Sequence, residues 1–155
     1  MKTALLLSLA LCGCVVAGAV WAQAPARAEF LDGGKTVPHG LPFSEAVRVG
    51  DTLYLSGQVG VVPGTLKLVP GGIAAQARQA MENIKAVLAT QGADMGDLVK
   101  CTVMLADMSK WNEFNEVYKT FFHGHYPARS AMGVNGLAIG AQVEIECIAA
   151  VGPAR

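Results

Sequence analysis

One segment limits the fold of this chain more than any other. Between residues 76 and 88, Ala77, Ala80, Met81, Ile84, Val87 and Leu88 recur three and four apart, while Gln76, Arg78, Gln79, Glu82 and Lys85 fill the other side. A helix with a single apolar stripe must lay it on a partner surface, and Gly92 supplies its C-terminal stop. The neighbouring segments offer that surface, because they alternate with the two-residue period of strands. Residues 98–106 set Val99, Cys101, Val103 and Leu105 on one side, and residues 142–150 do the same with Val143, Ile145, Cys147 and Ala149. A second helix is expected beyond Ser109, a residue suited to cap it, with Trp111, Phe114, Val117, Tyr118, Phe121 and Phe122 as an aromatic face ending at His123-Gly124.

Upstream, residues 47–60 read as a hairpin turning at Gly50-Asp51, with Leu53, Leu55 and Gly57 on one face. Turn signals at Pro63-Gly64 and Pro70-Gly71-Gly72 separate it from the first helix, and a further strand is expected over residues 128–134. Residues 23–42 show little periodicity and read as an arm. The order ββ(β)-α-β-α-β-β defines an α+β class, one sheet with two helices on one face. The helix-free face would carry Gln142, Glu144, Glu146 and Ile148 with Thr102, Met104, Tyr54 and Ser56. A mixed polar and apolar sheet face is a place for subunits to meet, so a homo-oligomer is expected.

The first 22 residues have a different character. Lys2 precedes an apolar run to Val20, and Val20-Trp21-Ala22 places small or apolar residues where a signal peptidase reads. Residues 1–22 are therefore expected to be a signal peptide, cut before Gln23, leaving one domain over residues 23–155 in the periplasm or outside the cell. The rival readings are a lipoprotein anchored at Cys14 and an uncleaved membrane anchor, for which the run is slightly short. The formal net charge is +0, and no basic stripe suggests nucleic acid. Of four cysteines, Cys101 and Cys147 lie in the domain. Export permits a disulfide, but their apolar strand settings make two buried free thiols the expected state.

Few residues are arranged for chemistry. Arg129 follows Pro127, which fixes the backbone entering the strand, and the N–H groups of Ser130 and Ala131 lie close by. A guanidinium so placed suits bidentate capture of a carboxylate. The bland alternative, favoured on composition alone, is an ion pair with Glu144 or Glu146. Glu144 beside such an arginine could orient and activate water; alone it is a surface acid. Ser56-Gly57 offers a hydroxyl and a backbone open to close approach, or only a bulge. His123 and His125 lack partners at metal-ligand spacing and suit a helix terminus better. No metal is expected, and no P-loop, dinucleotide fingerprint or Ser-His-Asp pattern supports cofactor or covalent chemistry.

Taken in order, several segments resemble the RidA (YjgF-type) reactive-intermediate deaminase family. They are Leu41-Pro42-Phe43-Ser44-Glu45-Ala46-Val47, Tyr54-Leu55-Ser56-Gly57-Gln58-Val59, Glu82-Asn83-Ile84 within the first helix, and Val99-Lys100-Cys101-Thr102-Val103-Met104-Leu105. Asn115-Glu116-Val117-Tyr118 with Phe121-Phe122, Pro127-Ala128-Arg129-Ser130 and Val143-Glu144-Ile145-Glu146 complete the set. The resemblance implies a chorismate-mutase-like mixed sheet, a homotrimer with ligand sites between subunits, and cofactor-free hydrolysis of 2-imino or 2-enamino acids to 2-keto acids and ammonia. It assigns the substrate carboxylate to Arg129 and the attacking water to Glu144. Ser56, Gly57, the Ala131 backbone and Asn115 would line the site, with Phe43 beside them.

Two departures from the family pattern stand out. Phe43 replaces a tyrosine and so lacks a hydroxyl, and Ala131 replaces a common cysteine. The missing hydroxyl motivates a second function class, a non-catalytic trimeric module that binds small carboxylates. The ribonuclease and chaperone roles of some relatives form a third class, and the near-zero charge speaks against RNA.

Overall fold

The computed structural model describes residues 27–152. The expected signal peptide and Cys14 lie outside the described residues. Seven strands form one sheet: β1 Ala28–Leu31, β2 Ala46–Val49, β3 Thr52–Leu55, β4 Gln58–Val59, β5 Leu98–Leu105, β6 Ala128–Gly133 and β7 Val143–Ala150. Their order is β1-β2-β3-β7-β5-β6, with β4 also on β7. All pairings are antiparallel except β5 with β6. Helices α1 Gly72–Thr90 and α2 Trp111–Tyr118 cover one face.

The α1 stripe performs as its periodicity predicts. Ala77, Ala80, Met81, Ile84, Val87 and Leu88 are buried against Leu53, Leu55, Cys101, Val103, Leu105, Val143, Ile145, Cys147 and Ala149. Gly92 (φ 66°) takes the left-handed position after the helix, and the Ala93 N–H donates back to the Leu88 carbonyl. Gln76, expected on the polar side, is buried instead. Its Oε1 accepts the Gln142 N–H at 2.8 Å and so ties α1 to the start of β7. Asn83 is buried too, and its Nδ2 donates to the Val59 and Val61 carbonyls, fastening α1 over β4.

Several expectations change. The arm contains β1, which pairs with β2, because backbone entering the fold beside an open strand edge gains a ladder. Behind it, buried Glu45 accepts hydrogen bonds from Gly33, Thr36 and Val37. Burial pushes its carboxyl up, but the Thr36 and Val37 donors outweigh burial and hold it below the ordinary glutamate value. Val99 does not share the face of Cys101. A bulge between Leu98 and Lys100 leaves Leu98 buried and turns Val99 outward. Asp107, rather than Ser109, caps the entry to α2: its carboxylate accepts the Ser109 N–H and hydroxyl within a 3₁₀ turn. His125 reaches the Gly96 carbonyl instead of the end of α2.

The largest correction concerns the cysteines. Cys101 and Cys147 stand directly opposite each other on β5 and β7, with Cα atoms 4.1 Å apart, and are joined in a disulfide. Both sulfurs lie in the core. Apolar flanks identify buried positions but carry no information about which buried position faces which, so register decides between thiols and disulfide.

Candidate functional site

A second bulge shapes one half of the site. Tyr54 pairs with Ile148, yet Gln58 pairs with Ile145. Three residues, 55–57, therefore stand against two, 146–147. The extra residue turns Gly57 away from the Leu53 and Leu55 face, where simple alternation would put it, and toward Glu144. A Cβ on Gly57 would lie 2.9 Å from the Glu144 Cδ, so the carboxylate rests in space that only glycine leaves. The same shift drives Gln58 inward, where its Oε1 has no partner among the described residues.

Glu144 alternates with buried Val143 and Ile145, so it projects from the helix-free face. It is half-buried and makes no hydrogen bond or ion pair among the described residues. Burial first, and then the charge of Glu146, push its carboxyl above the ordinary glutamate value. A carboxylate with raised proton affinity and free lone pairs is equipped to exchange protons with water. Ser56 is adjacent, but its hydroxyl donates to the Ser44 carbonyl at 2.6 Å. That bond steadies the segment carrying Phe43, itself half-exposed at 47%.

Arg129 occupies the other face. It lies opposite Cys101 on edge strand β6, and its side chain turns toward α2. Its guanidinium carbon sits 4.6 Å from the Tyr118 ring centre, 4.9 Å from that of Trp111 and 5.8 Å from that of Phe114. It forms no ion pair among the described residues, so neither Glu144 nor Glu146 partners it. Arg129, Asn115, Tyr118, Lys119, Tyr126 and Pro127 line a cleft of about 350 Å³. Ala131, two residues along, faces the same side and packs on the core.

The candidate residues thus form two half-sites. Arg129, Asn115 and Ala131 belong to the helix side near the sheet edge. Glu144 and Gly57 belong to the open face, with Ser56 beside them. With two strand spacings and three residues between them, the backbones of Arg129 and Glu144 are roughly 14 Å apart, and the sheet itself intervenes. One chain cannot bring them together.

The aromatic ring set under Arg129 was not part of the sequence expectation. Its signal was present in Trp111, Phe114 and Tyr118, which share one face of α2. Nothing in the sequence indicated that Arg129 would lie on it. Tyr118 is buried, its hydroxyl has no partner among the described residues, and burial pushes that hydroxyl up to about 12 against the pull of Arg129.

Fold and half-sites together define a class: a small α+β domain that displays on one sheet face an arginine, and on the other a glutamate, neither paired among the described residues. The chain belongs to the Endoribonuclease L-PSP family, whose model matches residues 36–151. It is 49% identical over 112 residues to the 2-iminobutanoate/2-iminopropanoate deaminase of Mus musculus, covering 72% of this chain and 83% of the relative. The crystal structure of RidA from the Antarctic bacterium Psychrobacter sp. superposes with a TM-score of 0.74 at 40% identity, covering 79% of this chain and 99% of that one. E. coli TdcF with bound serine gives a TM-score of 0.74 at 33% identity, over 80% and 99% of the two chains. The resemblance to RidA proteins and the mixed sheet of their fold are therefore borne out.

Proposed function

We propose that this protein is a homotrimeric deaminase that hydrolyses 2-imino acids, or their enamine tautomers, to 2-keto acids and ammonia. The observation that carries the reading is the pair of oppositely charged groups, Arg129 and Glu144, that have no ion-pair partner among the described residues and lie within the span the family model matches. Their placement on opposite faces supports a site completed between subunits, with Arg129 from one chain and Glu144 from the next. The helix-free face supports such contact, since Tyr54 and Met132 are 48% and 44% exposed there.

The chemistry needs little machinery. Arg129 clamps the substrate carboxylate through two parallel N–H donors and fixes the imine carbon in place. Glu144 takes a proton from water as the oxygen adds to that carbon and the C=N electron pair moves to nitrogen, and Glu144 then passes that proton to the nitrogen, returning to its carboxylate form. The resulting carbinolamine loses ammonia, its hydroxyl proton passing through Glu144 to the leaving nitrogen, and the C=O bond forms. One water enters and one ammonia leaves, with no redox change. Asn115, the Gly57 backbone and the Ala131 N–H complete the lining, and Phe43 offers an apolar wall where a hydroxyl is missing. We also read residues 1–22 as an export signal. The Cys101–Cys147 disulfide supports that reading, because such bonds persist in oxidising compartments.

The test is direct. An amino-acid oxidase generates 2-iminobutanoate, and release of 2-oxobutanoate is followed with and without the protein. Acceleration that disappears in Arg129→Ala is expected. No acceleration by the wild type, or full activity in Arg129→Ala, refutes the reading.

A further inference from the structure

Arg129 has five N–H donors, yet the structure seats it on rings rather than on acceptors. Contact with ring faces draws on the positive charge and consumes no hydrogen-bond donor. Three ring centres stand within 6 Å of the guanidinium carbon, with Tyr118 and Trp111 nearest. Tyr118 and Phe114 are fixed in the core, and Tyr118 stacks at 5.5 Å on Phe114 and 4.9 Å on Phe122, so the seat is rigid. Trp111 is only partly buried at the opening of α2 and adds a ring of its own to the seat. A salt bridge would also have held the arginine still, but it would have occupied the donors that a carboxylate needs.

We propose that Trp111 and Tyr118 are positioning residues that hold Arg129 ready for a carboxylate while leaving its donors free. The proposal rests on the deaminase reading and adds to it the means by which the clamp is preorganised. An arginine side chain has four torsions to freeze, and rings that freeze them before substrate arrives lower the cost of binding rather than the barrier to hydrolysis. Loss of the seat should therefore raise KM and leave kcat nearly alone.

The experiment compares wild type, Trp111→Leu and Trp111→Phe in the oxidase-coupled assay, with calorimetric binding of 2-oxobutanoate alongside. Leucine keeps apolar volume but has no ring face, whereas phenylalanine restores one. Trp111→Leu is expected to raise KM and the Kd for 2-oxobutanoate about tenfold, equivalent to about 1.4 kcal/mol, with kcat within twofold of wild type. Trp111→Phe is expected to recover most of that loss. Thermal midpoints and oligomeric state of each variant report folding separately. An unchanged KM in Trp111→Leu, or a fall in kcat at constant KM, overturns the seat. If wild type binds 2-oxobutanoate without turnover, the deaminase reading fails, and Kd alone then decides the seat by the same tenfold criterion. Wild type that neither binds nor turns over sinks both.

Discussion

Consider two inactive variants, Arg129→Ala and Glu144→Gln, unfolded together in equal amounts and refolded into mixed trimers. Each variant alone lacks one half-site in every copy. In the structure the two residues belong to opposite sheet faces, and on the proposed reading a complete site takes Arg129 from one chain and Glu144 from a neighbour. In a random mixture, the arginine donor at a given interface carries the intact residue half the time, and so does the glutamate donor. About one quarter of the sites should be restored, giving about one quarter of the wild-type rate per chain. The oxidase-coupled assay reads the rate, and native mass spectrometry verifies mixed assembly. If both residues served the same site from one chain, every site would carry a defect and mixing would achieve nothing. A verified mixture no more active than its components would refute the intersubunit site.

Two further predictions concern stability. The disulfide closes a loop of 46 residues, which by chain entropy contributes about 4 kcal/mol; the Cys101→Ala/Cys147→Ala double variant should lose about 10–20 °C in thermal midpoint, and a loss under about 2 °C would refute this contribution. Glu144 has a raised pKa in the fold, so folding favours its protonated form; that contribution is complete at acid pH and disappears as pH rises through the folded pKa. Glu144→Gln should therefore raise the thermal midpoint at pH 7, with a gain that shrinks toward pH 4, while abolishing turnover. Equal midpoints at pH 7 would contradict it.

The fold was legible wherever one period dominates. The α1 stripe and the buried sides of β5 and β7 follow from spacing, because one-sided burial demands it. Legibility ended where register mattered. The bulges at Val99 and at Ser56-Gly57 each reverse the parity of the residues around them, and alternation alone cannot locate an inserted residue. The same limit hid the Cys101–Cys147 bond. In the site, the carboxylate-binding potential of Arg129 was readable from Pro127 and the strand start. Its freedom from ion pairs among the described residues was not, because that depends on which sheet face each charge occupies.

The Ser56-Gly57 bulge bears on how this domain can diverge. Three residues stand there against two, so excising one would leave two against two, with Tyr54 and Gln58 still opposite their present partners. Hydrophobic inward positions would stay inward and the ladder would close without a gap. Only the floor beneath Glu144 would change. On the proposed chemistry, a deletion of one codon at this point is thus a short mutational path to a descendant that keeps the ladder and loses the seat of Glu144. Similarity of fold, or even of most of the sequence, would not reveal the difference; the length of this one segment would.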